Sequence, residues 1–466
     1  MKPVSFGKHG LSLIFVLLLA GCATSLPKVE PQTLPPVPAE FKENFTIAAP
    51  AEAQSRGEWW KAFSDPVLDE LVARAEGANS SIRVAAARLA QARAIARVTD
   101  ADRSPQVTAG AGAQRFRGIV NGSPPLPPTS VFDAGVDLSY EVDLFGRLSH
   151  ASAAASLDAQ ASEGLLQSTR LLVQAQVAQN YLAIRALDTE RALVRDTLAA
   201  YRETLALTER RWRAGDVAEL DVARAATEVA ATESEALALD RRRAELEHAV
   251  AILLGEAPAN FTLAAEEWKT ALPTIPAGVP ATVLTRRPDV SAAQSTLLAT
   301  QARVGVAKAA YFPNIALTAS GGYASTELSD LFKWSSRAWG IGLLAALPIF
   351  DGGRRKAGVE AASAQFDGAI AQYRDQVLVA FKEVEDQLAA LRLLAEQSEA
   401  QGRAVASARR TTSLSDTRYR AGYVSQLELL DAQRSELRNR REALQVRSAR
   451  YQATVALVRA LGGSWN

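Results

Sequence analysis

The sequence predicts an α+β membrane protein, mostly long helices with four β-strands, built on one plan used twice. Three observations carry this prediction. First, a long pattern recurs at a fixed offset: Arg211-Trp212-Arg213-Ala214-Gly215 returns as Arg418-Tyr419-Arg420-Ala421-Gly422, and 418 − 211 = 207. The same offset relates Gly146-Arg147 to Gly353-Arg354, Val177 to Val384, Leu220 to Leu427, and Leu254-Gly255 to Leu461-Gly462. Upstream it is one larger, with Ser104-Pro105-Gln106-Val107 against Phe312-Pro313-Asn314-Ile315. A repeat this long is a duplicated half-protein, not a solenoid unit. Second, Arg147 to Arg213 holds no proline and a single glycine, Gly164. Third, short segments alternate apolar with polar in a chain that begins with an export signal.

The elements follow in order. Lys2 and Lys8 precede the apolar run Leu11–Ala20, which is too short to span a bilayer and reads as a signal peptide over 1–21. It ends in Leu19-Ala20-Gly21-Cys22, which resembles the lipobox of bacterial lipoproteins. Cleavage there would free the Cys22 thiol and amine for acylation, and several acyl chains anchor stably where one is marginal. The alternative is an ordinary signal peptide with a coincidental cysteine. Cys22 is the only cysteine, so an intramolecular disulfide framework and Cys-rich metal sites are excluded. Ala23 rather than Asp follows it, which by resemblance to the sorting rule of enteric lipoproteins implies the outer membrane. Residues 22–55, with Pro35, Pro36 and Pro38, read as a lipidated, extended tether. Removing Lys2 and Lys8 takes the formal charge from +1 to −1, which argues against nucleic acid as a partner. No apolar stretch beyond the signal is long enough for a transmembrane helix, so a membrane crossing would use strands.

The first repeat is assigned to 56–255, a connecting segment to 256–280 and the second repeat to 281–466. In the first repeat, Asn79–Arg103 is helical until Pro105 breaks it. A strand pair at about 105–145 follows, interrupted by a loop over Gly118–Ser130 that holds four prolines. Val136 to Leu144 alternates without a fault, acids on one face and apolar groups on the other, as a strand between water and grease does. The second repeat copies this with Pro288–Ala310 helical and a strand pair at about 312–350. There Trp339, Ile341, Leu343, Ala345 and Leu347 share a face, and Trp339 and Phe350 suit the aromatic girdles of outer-membrane barrels. A sheet in a soluble sandwich would alternate in the same way. Four strands cannot close a barrel, and open edges are not viable in lipid, so a membrane reading demands an oligomer.

Arg147–Arg213 would be about 100 Å long as a helix, against a bilayer core of ~30 Å, and its Arg, Glu and Gln require water. Its counterpart spans about 354–420, where Val359, Ala362, Phe366, Ile370, Tyr373, Val377, Phe381, Val384 and Leu388 step by three and four. That spacing, near 3.6, favours straighter packing than strict heptads; a wide tube and a solid bundle both satisfy it. Each long helix ends at an Ala-Gly turn, with glycine where a helix C-terminus wants a left-handed residue. A second helix then returns, Glu219–Leu254 and Gln426–Leu461, giving helical hairpins over about 147–254 and 354–461. The run Arg241-Arg242-Arg243 reads as a solvated face and receives no role. No catalytic constellation, phosphate loop or metal spacing is present, and His150 and His248 read as ordinary side chains.

Trp59-Trp60-Lys61-Ala62-Phe63-Ser64-Asp65-Pro66, Arg286-Arg287-Pro288-Asp289-Val290, and Ala421-Gly422 leading to Leu429-Leu430-Asp431-Ala432-Gln433 resemble the outer membrane factors, relatives of TolC, and among them the NodT-type efflux lipoproteins. The resemblance covers essentially the whole mature chain. It implies a homotrimer with a twelve-stranded outer-membrane β-barrel and a periplasmic helical barrel. The partners implied are a periplasmic adaptor protein and an inner-membrane pump, usually of the resistance-nodulation-division type. The function implied is passive conduction of substrates out of the cell, with no enzyme activity and no cofactor beyond lipid on Cys22. An exit duct for secreted protein or peptide, and a structural lipoprotein that braces the envelope, stand as alternatives.

By the same resemblance, Glu428 and Asp431, one turn apart on a helix face, match the acids lining the periplasmic aperture, with Leu427 beside them as an apolar constriction. An exposed acidic helix start would look alike. Tyr419 matches a tyrosine that holds the closed state, and Asp221 is its expected partner in a latch. Some relatives carry an arginine where this chain has Val424, which removes one salt bridge from that latch. The tips, Ala214, Gly215, Asp216 and Val217 with Ala421, Gly422, Tyr423 and Val424, are the expected adaptor contact; a plain turn is the alternative.

Overall fold

The computed structural model describes residues 26–28, 35–39, 41–42, 58–117, 127–275 and 286–463. The signal peptide and Cys22 lie outside the described residues. Among the described residues the helices are α1 Pro66–Ala78, α2 Ser80–Ala101, α3 Arg147–Arg213, α4 Glu219–Leu253, α5 Pro288–Ala309, α6 Arg354–Arg420 and α7 Gln426–Ala460. The strands are β1 Gln106–Phe116, β2 Thr129–Glu141, β3 Asn314–Ser325 and β4 Arg337–Ala346. No helix among the described residues is long and apolar enough to cross a membrane. The hairpins match in length: α3 and α6 have 67 residues each, α4 and α7 have 35 each. Their starts lie 354 − 147 = 207 and 426 − 219 = 207 apart.

The chain divides into two compact units. One holds the four strands and the helix segments nearest them in sequence. Its sheet is an antiparallel meander in the order β1-β2-β3-β4, with strands of 10 to 13 residues, the length that crosses a bilayer when tilted. The register sorts the side chains. Val107, Leu138, Ala319 and Ile341 are in line across the sheet, and so are Ala109, Val136, Gly321 and Trp339. One residue along, on the opposite face, stand Thr108, Asp137, Ser320 and Gly340. The apolar face is bare, with Trp339 80% and Ile341 81% exposed. The outer strands β1 and β4 each have a single partner. Two predicted strand ends stop early. Val142 makes the last rung, its N–H donating to Ile315 O at 2.8 Å, and Asp143 and Leu144 then leave β2, the Asp143 carboxylate accepting from the backbone N–H groups of Leu148 and Ser149 at 3.0 and 2.7 Å at the start of α3. Leu347 lies beyond β4, just before Pro348, which has no N–H to continue the ladder. Leu297 and Val304 of α5 pack on Phe366 and Ala369 of α6, so the step of three and four in α6 marks a buried seam.

The other unit holds α1, the rest of α3 and α6, and all of α4 and α7. The motif around Trp59 builds its base. Trp59, Trp60 and Phe63 are buried, and Asp65 caps α1 by accepting from the N–H groups of Val67 and Leu68. Asp65 also accepts from Tyr181 Oη at 2.8 Å and Thr270 Oγ1 at 2.7 Å, so one carboxylate ties α1, α3 and the inter-repeat segment together. Arg287 plays a similar part, paired with Asp289 and Glu383 at 2.6 Å each and donating to Ala460 O. Leu187, Val194, Ala236 and Leu239 form a core between α3 and α4, with Leu437 of α7 against it.

Two expectations need correction. Arg243 is not a solvated charge: it reaches Asp188 at 2.8 Å and Glu247 at 2.9 Å with its side chain 11% exposed. The stretch read as an extended tether is partly docked, because Phe41 is buried and the Lys42 N–H donates to Glu385 at 2.7 Å. The inter-repeat segment also packs: Trp268 is buried beneath the Arg447 guanidinium, 4.1 Å from the ring centre.

Candidate functional site: the hairpin tips and the start of the last helix

Each tip is a glycine-terminated turn of one design. Gly215 has φ +85° and Gly422 has φ +79°, in the left-handed region where a side chain is strained. The Gly215 N–H donates to Trp212 O at 2.9 Å and the Asp216 N–H to Arg211 O at 2.9 Å. In the second tip the Gly422 N–H donates to Tyr419 O at 3.0 Å and the Tyr423 N–H to Arg418 O at 2.9 Å. These crossed bonds satisfy carbonyls that a helix end otherwise leaves bare. A Cβ at either glycine would meet nothing within 4 Å, so glycine is required for its backbone angle and not for space. Ala214, Gly215, Asp216, Ala421, Gly422 and Tyr423 are exposed, Val217 and Val424 half-buried.

The returning helices start differently. α4 begins after Ala218 with no side-chain cap, whereas Ser425 caps α7 by accepting from the Glu428 N–H at 3.4 Å. The pattern Ser425-x-x-Glu428 is the sequence signature of a capping box. From this start α7 shows two faces. Leu429, Leu430 and Ala432 are buried, while Leu427, Glu428 and Asp431 are exposed, so the three expected aperture residues share the outer face. Asp431 is not alone there. Arg434 sits 3.2 Å from it and also pairs with Glu228 of α4. Sequence reasoning missed Arg434, although its spacing of three from Asp431 could have found half of this contact.

The expected latch is not made within the chain. Asp221 pairs with Arg224 at 3.7 Å, one turn along α4. Tyr419 is 5% exposed, its hydroxyl buried without a hydrogen-bond partner among the described residues. The Arg211 guanidinium lies over its ring at 5.0 Å from the centroid. Cation–π contact and burial therefore fix this ring, and each member of the supposed pair is held by an arginine of the first hairpin. The buried side-chain amide of Gln426 is also without a partner among the described residues.

The chain matches the family described as outer membrane efflux protein over residues 71–256 and 279–463. It is 32% identical over 459 residues to the probable outer membrane lipoprotein SilC of Salmonella typhimurium, covering 98% of each chain. It is 33% identical over 464 residues to the solvent efflux pump outer membrane protein SrpC of Pseudomonas putida, covering 97% of this chain and 98% of that one. The solved structure of the outer-membrane channel OprN is similar with a TM-score of 0.87 at 32% identity, over 95% of this chain and all of that one.

Proposed function

This chain belongs to the outer membrane efflux protein family, and on that premise we propose how its parts conduct. It is an outer-membrane channel component of an efflux system, in a family of transporter components rather than enzymes. Three copies join their four-stranded sheets edge to edge into one twelve-stranded barrel, with the Trp339 and Ile341 face toward lipid and the Asp137 and Ser320 face toward water. The observation that carries this reading is the two-faced sheet with bare apolar side chains and open outer strands. Lipid satisfies the apolar face, and only neighbouring copies can satisfy the edge N–H and C=O groups, because unpaired backbone in hydrocarbon costs several kcal/mol per group.

Two repeats per chain supply the hairpins, and three chains line a helical tunnel. Acyl chains on Cys22 add a second membrane attachment, in keeping with the lipoprotein name of SilC. The tips, from Ala214 to Val217 and from Ala421 to Val424, dock a periplasmic adaptor, which links the duct to an inner-membrane pump of the resistance-nodulation-division type. Leu427, Glu428 and Asp431 line the inner aperture as rings, where close carboxylates attract cations. Within one chain Asp221 pairs with Arg224 and the Tyr419 ring lies under Arg211, so the two do not meet there.

Purified protein in planar bilayers tests the reading. Discrete conductance steps from a species whose mass is three chains are expected. A stable monomer, or a protein that binds lipid without conducting, would overturn it.

A further inference from the structure

The geometry points to Arg434 as the residue that sets the charge of the aperture. It clamps Asp431 against Glu228, one cation shared by two carboxylates, so that of the two acids on that face Asp431 is partly neutralised while Glu428 keeps its full charge. This rests on the reading of the Leu427, Glu428 and Asp431 face as aperture lining.

The contact is graded from inside to outside. The side chain of Glu228 is 15% exposed, that of Arg434 45% and that of Asp431 61%. Glu228 on α4 therefore seats the guanidinium from the buried side, and the second amino group of the fork is presented to the outer acid. A planar guanidinium can serve two carboxylates at once with fixed geometry, whereas an ammonium is a point charge on a flexible stem. Glu428 makes no salt bridge among the described residues; its backbone N–H is turned to Ser425.

A second rung holds the first in place. Arg441 pairs with Glu235, and 441 − 434 = 235 − 228 = 7, so both bridges join α4 to α7 one heptad apart. Arg441 also reaches Glu190 of α3 at 2.8 Å. This ladder fixes the register of α7 against α4 and so the reach of Arg434. The clamp is peculiar to the second repeat. At the offset of 207, Asp431 corresponds to Arg224, Arg434 to Thr227 and Glu228 to Ser435, so none of the three partners is duplicated.

Arg434 is thus a positioning and charge-setting residue, and its readout is ionic selectivity. The channel, assembled as in the previous section, is measured under a KCl gradient and with La3+ added on the side of the hairpin tips. Asp431→Asn and Glu428→Gln are expected to weaken La3+ block. Arg434→Gln is expected to tighten it on the order of tenfold and to shift the reversal potential toward cations, because an acid in each copy loses its counter-charge. Arg434→Lys keeps the charge but not the fork, so its block should fall between those of the native channel and Arg434→Gln. Glu228→Gln should weaken block, because Arg434 then neutralises Asp431 without competition. A merely structural role would change channel lifetime or yield and leave the reversal potential unmoved. If Asp431→Asn weakens block while Arg434→Gln and Glu228→Gln alter neither block nor reversal potential, the clamp is refuted and the aperture stands. If Asp431→Asn and Glu428→Gln both leave block unchanged, the aperture reading itself fails, and the clamp with it.

Discussion

Replacing Tyr419 by Phe decides between two views of the second tip. A latch tyrosine would be missed when its hydroxyl is removed. The structure gives the opposite sign. The Tyr419 hydroxyl is buried without a partner among the described residues, and such a group costs roughly 1–3 kcal/mol in lost hydration. The ring's contact with Arg211, at 5.0 Å, survives in Phe, so little is lost in exchange. A net stabilisation of about 1 kcal/mol is expected, which is about a fivefold slower opening of the tip. Tyr419→Ala removes the ring as well and should destabilise by roughly 3–5 kcal/mol. Hydrogen–deuterium exchange of the Arg418–Leu430 segment in the solubilised assembly reads both. Faster exchange in Tyr419→Phe than in the native protein would show that the hydroxyl finds a partner in the assembly, and the reasoning would fail.

The remaining expectations concern the sheet, a cap, an ion pair and a glycine. Ile341→Lys places a charge on the apolar face and should cost about 2–4 kcal/mol at the bilayer midplane, whereas Ser320→Lys on the opposite face should be tolerated; refolding yield into vesicles compares them. Asp65→Ala leaves the Tyr181 and Thr270 hydroxyls buried without an acceptor and should lower stability by roughly 3–5 kcal/mol, read as a fall in the thermal midpoint. Burial works against the charge on Asp289, but hydrogen bonds and attraction from Arg287 outweigh it and hold its pKa below the ordinary 3.8. Its contribution is complete above that value and disappears as pH falls through the lower folded value. Acid titration of the thermal midpoint should therefore show a loss below about pH 4 that is absent in Asp289→Asn. Gly422→Ala meets no atom within 4 Å, yet holds φ +79°, so a cost of about 1–2 kcal/mol from the backbone alone is expected in exchange at the tip.

The local parts of this protein were legible because local chemistry dictates them. The hairpin helices contain no proline over 67 residues, and the turns carry glycine at the position that must be left-handed, so their ends could be placed closely. Strands show through period-two alternation, and the two faces of the sheet were correctly sorted from Val136 to Tyr140. What failed was partner choice at long range. Arg243 sits in a charge run that looks solvated, yet finds Asp188, 55 residues away. Arg434 finds Glu228 across a separation of 206. Within one chain, Asp221 lies against Arg224 and the Tyr419 ring against Arg211. A carboxylate has no sequence signature for which of several cations reaches it; helix register decides, and register is a property of the packed core.

The outer strands of the sheet, β1 and β4, differ in sequence, so in the proposed ring of three copies each joint would be head to tail. Each added subunit leaves the same unmet edge exposed until the last closes on the first. A copy with a damaged β4 could still be recruited through its sound β1, and would end the ring there. Such a subunit would poison its partners, so damage to one edge should behave genetically as dominant even though the chain carrying it conducts nothing.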